Sequence, residues 1–109
     1  MNKTIIITTD ADQGLDSPIC TRFGKSPYFV VAEVEGNEVR GVQSCENRHF
    51  RGHQLGLMHC ASQYEFNVIL AGGMEPRVAS MFRDLGVEVR ADCCGDAQNA
   101  LEEYLSAES

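Results

Sequence analysis

The sequence predicts a single α/β domain whose mixed five-stranded sheet is flanked by helices. Three observations lead to this fold class. The chain has 109 residues, 43% of them apolar, which suits one compact domain spanning residues 1–109. Its first half contains a hairpin signal, and its second half alternates strand and helix patterns. The resulting order, β β β α β α β α, includes short helical crossovers, which require parallel pairing of the later strands.

The first half is dominated by strand patterns. The β-branched run "KTIIIT" predicts a buried strand over residues 3–8, followed by a loop rich in Asp and Gly. The stretches "SPYFVVAEVE" and "EVRGVQS" predict strands over 27–35 and 38–44, with the "GN" between them as a hairpin turn. The proline-free segment over about 52–64 predicts a helix.

The second half alternates between strands and helices. "FNVILAGG" predicts a strand over 66–71, and "VEVRA" predicts one over 87–91. An amphipathic helix is expected between them, with Pro76 in its first turn and Gly86 at its end. The residues expected to face the core are Val78, Met81, Phe82 and Leu85. A last helix follows Asp96, its predicted N-cap. Its expected buried stripe is Ala97, Ala100, Leu101, Tyr104 and Leu105.

Composition excludes several classes of function. Sixteen acidic residues against nine basic ones give a net charge of −7, which disfavours a general nucleic-acid binder or a protein of anionic membrane surfaces. The opening run of three isoleucines is too short for a signal peptide or a membrane span, so a cytoplasmic location is expected. The five cysteines are odd in number and irregularly spaced, which indicates reduced thiols rather than a disulfide framework.

The stretch "CENRHFRGHQLGLMHC" contains all three histidines of the chain, and no acidic residue occurs from Asn47 to Tyr64. An anionic metal–sulfur cluster requires cationic side chains, backbone N–H groups and soft ligands, all of which this stretch offers. The candidates are Arg48, His49, Arg51 and His53, beside the expected start of a helix. If that helix begins by His49, then His49, His53 and Cys60 share one face. The alternative is a solvated loop followed by ordinary helix residues.

Two predicted strand-to-helix turns offer further candidates. Cys93 and Cys94 follow the fifth strand, where they could ligate a soft metal or form a vicinal disulfide. Alternatively, they are simply two small, half-buried residues. Gly72 and Gly73 follow the fourth strand and permit close approach of the backbone to an anion. The alternative there is a tight turn that needs glycine for its own geometry.

Four stretches occur in an order and spacing typical of one known family: "LDSPICTRFGKSPYF", "VILAGGMEPR", "LGVEV" and "ALEEYL". On these stretches the chain resembles the dinitrogenase iron–molybdenum cofactor-binding family of the NifX, NafY and NifB C-terminal type, which includes the orange protein. The resemblance covers nearly the whole chain. It implies a ribonuclease H-like α/β fold and a non-catalytic protein that binds or carries preformed metal–sulfur clusters.

A ribonuclease H-like fold also brings two-metal nuclease chemistry into consideration, because Asp10, Asp12 and Asp16 follow the first strand. The other strands supply no convincing partner acid, so these residues are expected to form a solvated turn.

The chain departs from the family pattern in places that matter for the site. Arg22 stands where many relatives have His, and the loop "ENRHFRGHQ" replaces a Gly-rich loop that contains His. The resemblance therefore implies a related site with a changed ligand set. The expected cluster-binding residues are Arg22, Arg48, His49, Arg51, His53, Gly72 and Gly73. The expected metal ligands come from His49, His53, Cys60, Cys93 and Cys94.

The sequence thus predicts a small carrier or accessory protein for an anionic cluster of the Mo/Fe or Mo/Cu sulfide type. Its expected partners are the cluster itself and cluster-assembly or acceptor proteins, with no nucleic acid and no membrane. Two alternatives remain open. One is a thiol redox enzyme that uses Cys93 and Cys94, and the other is a regulatory domain that binds proteins without any metal.

Overall fold

The computed structural model describes residues 2–22, 26–46 and 66–108. All five predicted strands are present, each end within two residues of its predicted position. Neither α-helix among the described residues has the length and apolar composition needed to cross a membrane. The helix predicted over 52–64 lies outside the described residues, and a short 3-10 helix was not predicted. In chain order the elements are β1 (Asn2–Thr9), the 3-10 helix (Gly14–Asp16), β2 (Tyr28–Glu35), β3 (Glu38–Glu46), β4 (Val68–Leu70), α1 (Pro76–Asp84), β5 (Glu88–Arg90) and α2 (Ala97–Glu108).

The strands form one mixed sheet in the order β3-β2-β1-β4-β5. β1 and β2 pair antiparallel, as do β2 and β3, whereas β1 with β4 and β4 with β5 pair parallel. The hairpin prediction is confirmed: Glu35 pairs with Glu38 across a two-residue turn, and Gly36 adopts the left-handed conformation with φ of 63°. β3 continues to Glu46, two residues beyond its predicted end.

Each face of the sheet is covered by a helix, because alternate side chains of the strands point to opposite sides. On one face Ile6 and Phe29 pack in a cluster with Phe82 of α1. On the other face Ile5 and Ile7 pack with residues of α2. The α2 residues in that cluster are Ala97, Ala100, Leu101 and Tyr104, with Leu105 half-buried beside them. This confirms the predicted stripe of the last helix.

The predicted core face of α1 is partly wrong. Val78 and Phe82 are buried as expected, but Met81 is 37% exposed and Leu85 is 70% exposed. Ala79 is buried instead. Because successive helix residues are about 100° apart, a core face that includes Ala79 beside Val78 and Phe82 leaves Met81 at its outer margin. Leu85 is exposed because the helix ends at Asp84.

The ends of both helices match their sequence signals. Pro76 occupies the first turn of α1, and Gly86 follows the helix with a positive φ of 86°. Asp96 caps α2, because its Oδ1 accepts a hydrogen bond from the amide of Asn99 at 2.8 Å. These features mark the start and end of α1 and the start of α2.

Candidate functional site

Four connections begin at one edge of the sheet, here called the carboxyl edge. β1, β4 and β5 are parallel neighbours, so their carboxyl ends meet there. β3 ends at the same place, because Tyr28 pairs with both Thr9 of β1 and Glu46 of β3. The carboxyl ends of parallel strands are the usual ligand position in open α/β sheets. This edge is therefore the first place to seek a binding site.

Residues 17–22, here called the edge segment, belong to the loop after β1 and contact the loops after β4 and β5. The edge segment extends the sheet antiparallel to the end of β1. The amide of Ile19 donates to the carbonyl oxygen of Gly95 at 2.9 Å, and the carbonyl oxygen of Cys20 accepts from the amide of Gly72 at 3.0 Å. The loops after β1, β4 and β5 are thereby held in one arrangement.

The edge segment explains why residues 72 and 73 are glycines. A Cβ at Gly72 would lie 2.6 Å from the carbonyl oxygen of Cys20. A Cβ at Gly73 would overlap the carbonyl oxygen of Thr21. The protein's own backbone thus occupies the space that side chains would need. Approach of this turn to a bound ligand stays a prediction.

Cys93 and Cys94 differ in their surroundings, and both are reduced thiols. The amide of Cys93 donates to the carbonyl oxygen of Ala71 at 3.0 Å, and its half-buried side chain packs against the core beneath α2. Burial raises the pKa of the Cys93 thiol, and the charge of Asp92 raises it further. Cys94 is exposed. The two thiols therefore differ in how accessible they are to a ligand.

Cys20 is a further thiol at the carboxyl edge, and the sequence did not single it out. Only 4% of it is exposed, and its thiol donates to the carbonyl oxygen of Arg22 at 3.1 Å. Burial raises the pKa of the Cys20 thiol, and the nearby Asp10 carboxylate adds to this effect. One sequence feature could have identified it: Ile19 and Cys20 form an apolar pair within a polar loop, a pattern that indicates that the loop is anchored to the core there.

Charges of both signs occur around the carboxyl edge. Arg22 and Arg77 are exposed there, and so are the carboxylates of Asp10, Glu46 and Asp92. Within residues 2–22, 26–46 and 66–108, no three His, Cys, Asp or Glu side chains are grouped so that they could hold a metal ion. The acids Asp10, Asp12 and Asp16 therefore form no two-metal centre in this part of the chain.

The structure brings some of the predicted site residues together at the carboxyl edge: Arg22, Gly72, Gly73, Cys93 and Cys94. The remaining candidates lie outside the described residues: Arg48, His49, Arg51, His53 and Cys60. Their stretch follows directly on Glu46, which ends β3 at this edge. Their predicted roles stay predictions.

Comparison with known proteins adds a family match. The sequence model described as dinitrogenase iron-molybdenum cofactor (Nitro_FeMo-Co) matches residues 3–107. No curated protein matches the chain.

Several solved structures share the fold. PH0822 superposes with a TM-score of 0.82 at 24% identity, over 95% of this chain and 90% of that one. The apo form of the orange protein from Desulfovibrio gigas has a TM-score of 0.80 at 22% identity, over 97% and 89% of the two chains. MJ0327 from Methanocaldococcus jannaschii has a TM-score of 0.73 at 18% identity, over 99% and 92%. At these identities the likeness establishes the fold.

Proposed function

This chain belongs to the dinitrogenase iron-molybdenum cofactor family, and from that premise we propose that it is a carrier or accessory protein for an anionic metal–sulfur cluster. The cluster is its cargo, of the iron–molybdenum type or a related molybdenum–copper sulfide. The protein captures and releases this cargo and catalyses no reaction. Cluster-assembly and acceptor proteins are its proposed partners.

The convergence at the carboxyl edge is the observation that carries this proposal. The edge segment ending at Arg22, the Gly72-Gly73 turn and the Cys93 loop are joined there by backbone hydrogen bonds. β3 also ends there, at Glu46. The acid-free stretch with its Arg and His residues comes next in sequence. The edge thus presents the Cys93 and Cys94 thiols and Arg22, and the acid-free stretch is proposed to add further cations for a sulfide anion.

Each predicted residue has a proposed role in capture. Arginines supply charge, histidines orient or ligate the cluster, cysteines are soft ligands, and the glycine turn approaches with its backbone. The charge group is Arg22, Arg48 and Arg51, the imidazoles are His49 and His53, the thiols are Cys60, Cys93 and Cys94, and the turn is Gly72-Gly73.

The mixed charge of the edge favours reversible binding. Asp10, Glu46 and Asp92 are exposed there beside Arg22, and their carboxylates repel an anion. Attraction by the arginines is therefore partly offset. A carrier must release its cargo, and a modest net attraction suits that task better than a purely cationic pocket.

The two alternative functions gain no specific support. A thiol redox enzyme needs a reactive thiolate, whereas burial raises the pKa of the Cys93 thiol. A metal-free regulatory domain would need a partner surface, and nothing in residues 2–22, 26–46 and 66–108 favours such a surface over the cluster site. Both alternatives nevertheless predict different outcomes in a binding experiment.

The test is an anaerobic titration of the purified protein with tetrathiomolybdate, a coloured molybdenum–sulfide dianion, followed by desalting. A carrier should retain the visible absorption, and a Cys93→Ser/Cys94→Ser variant should retain it more weakly but not lose it. Metal and sulfide analysis of protein purified anaerobically from its native host is the second measurement. Loss of all colour on desalting, together with metal-free native protein, would refute the proposal and favour the regulatory alternative.

A further inference from the structure

We propose that Cys20 is a positioning residue of the cluster site, which holds the backbone of Arg22 at the end of the segment that packs against the glycine turn, without touching the cargo. This inference rests on the proposed function, because Arg22 and the Gly72-Gly73 turn are both assigned to capture there. It adds a residue that neither the sequence motifs nor the family match assigns.

Cys20 connects two parts of the proposed site through two of its own atoms. Its carbonyl oxygen accepts a hydrogen bond from the amide of Gly72 at 3.0 Å. Its thiol donates to the carbonyl oxygen of Arg22 at 3.1 Å. Because the thiol binds the backbone of Arg22, it restrains the main chain from which the guanidinium side chain extends. The backbone of Arg22 and the turn are thereby kept in one relative geometry.

Cys20 itself is held firmly enough for this role. Its amide donates to the carbonyl oxygen of Thr8 at 3.0 Å, and the preceding Ile19 pairs with Thr9 at the end of β1. Only 4% of Cys20 is exposed. A binding group is positioned most accurately when its support is anchored to regular secondary structure. Here the support is the central strand of the sheet.

The state of the thiol agrees with positioning rather than ligation. A thiolate is the form that ligates metals, whereas a protonated thiol can donate a hydrogen bond. Burial and the neighbouring Asp10 carboxylate raise the pKa of Cys20, so the donor form prevails at neutral pH. The geometry of the two bonds, not this shift, carries the inference.

Substitutions can separate positioning from direct ligation and from simple packing. Cys20→Ser keeps a hydrogen-bond donor but removes sulfur, whereas Cys20→Ala removes the donor. Thr8→Val is the matched control. Thr8 is fully buried at the neighbouring strand position, and its hydroxyl has no hydrogen-bond partner among the described residues, so the change replaces a buried hydroxyl with a methyl group of similar size without removing a bond.

The experiment measures tetrathiomolybdate affinity and its salt dependence under anaerobic conditions, with thermal unfolding of each variant as a check on folding. Cys20→Ala should weaken binding about two- to tenfold, the range that one hydrogen bond contributes, and should flatten the salt dependence as Arg22→Ala does. Cys20→Ser should stay within about twofold of wild type, and Thr8→Val should be unchanged. The double variant Cys20→Ala/Arg22→Ala should bind no more weakly than Arg22→Ala alone, because both changes remove one coupled interaction.

Several results would overturn the inference. Equal losses of tetrathiomolybdate affinity in Cys20→Ser and Cys20→Ala would indicate that the Cys20 sulfur binds the cargo directly. Unchanged binding in Cys20→Ala, or additive losses with Arg22→Ala, would leave it without a positioning role. If Cys20→Ala unfolds, Cys20→Val, which fills the space but cannot donate, takes its place. A wild-type protein that fails to bind the anion and is metal-free when purified from its native host would instead refute the proposed function, and this inference with it.

Discussion

The backbone of Gly73 lies against the carbonyl oxygen of Thr21 so closely that no side chain fits between them. This contact joins the loop after β4 to the edge segment. It therefore makes a glycine in the family motif a structural requirement of this chain, whatever the turn also does for a ligand.

Gly73→Ala should accordingly destabilise the fold. The added Cβ must displace the backbone at Thr21, and such overpacking typically costs about 1–3 kcal/mol. Urea unfolding measures the change in the free energy of unfolding. Gly41→Ala in β3 is the matched control, because the nearest atom to its new Cβ, Glu33 Oε2, is 3.7 Å away. Equal losses at both positions would contradict the packing argument.

Phe82 in the last turn of α1 and Leu85 directly after the helix should lose very different amounts of stability on truncation to alanine. Phe82 is 1% exposed, whereas Leu85 is 70% exposed. Phe82→Ala should cost about 3–5 kcal/mol through lost burial and the cavity it leaves, whereas Leu85→Ala should change stability by less than about 0.5 kcal/mol. Denaturant unfolding of both variants checks this. A large loss at Leu85 would show that the core face of the helix is the one predicted from its periodicity.

The contribution of the Asp96 cap of α2 to stability should be measurable with a single substitution. Asp96→Ala removes the acceptor of the 2.8 Å hydrogen bond from the amide of Asn99, a loss that typically costs about 0.5–2 kcal/mol. Thermal or urea unfolding gives the difference. Asp12→Ala, which removes an exposed carboxylate of the loop after β1, is the control. The cap assignment fails if the two variants are equally stable.

Stability should fall as pH rises into the alkaline range. The pKa values of the Cys20 and Cys93 thiols are raised in the folded state, chiefly by burial. Above the pKa of an unfolded thiol, about 8.5, the unfolded chain loses these protons first, so the free energy of unfolding declines. Below about pH 8.5 both thiols are protonated in the folded and unfolded chains, so their contribution to stability is fully present there. Urea midpoints from about pH 7 to 10 should fall less steeply in Cys20→Ser than in wild type.

Cys94→Ser is the control for that pH series, because it removes an exposed thiol. It should follow the wild-type curve. A Cys20→Ser curve that also coincides with wild type would show that the buried thiol does not contribute to the alkaline loss.

The arginines and histidines of the acid-free stretch should affect cluster binding separately. Each charge-assisted contact contributes roughly 1.5–3 kcal/mol, so Arg48→Ala/Arg51→Ala and His49→Ala/His53→Ala should each lower the affinity for tetrathiomolybdate at least about tenfold. Wild-type binding should loosen with salt, since exposed charges are screened beyond about 10 Å at 0.1 M. Cys93→Ser should have a smaller effect. Loss confined to the cysteine variant would move the site to the Cys93 loop.

The sequence predicted the strands well because their signals are local. The β-branched runs and the two-residue Gly36-Asn37 turn need no knowledge of distant partners. The end of β3 was harder to predict from the sequence. Cys45 joins the strand by pairing with Phe29, and the residues on either side of Cys45 are polar. The sequence also could not predict which side of α1 faces the sheet. Met81 and Ala79 flank the same apolar stripe, and only the fit against the sheet decides between them.

The sequence predicted the types of residue in the candidate site better than the contacts between the loops that carry them. Gly72 and Gly73 were assigned to ligand approach, whereas the structure gives them a second reason in the edge segment. Cys20 was missed because its contacts include Gly72, which is 52 positions further along the chain. Sequence spacing does not reveal such a contact. The alternation of residue types can indicate a strand, but not which loop will lie across its end.

The position of β1 at the centre of the sheet has a consequence for how the molecule can assemble. One of its neighbours, β4, lies far along the chain, with Ile5 paired to Val68. Closing so long a loop costs conformational entropy before any pairing contributes. The β2–β3 hairpin is the part of the sheet that short-range contacts can build by themselves. No amino-terminal fragment that stops before β4 can complete the sheet, so the carboxyl edge comes into existence only when nearly the whole domain has folded.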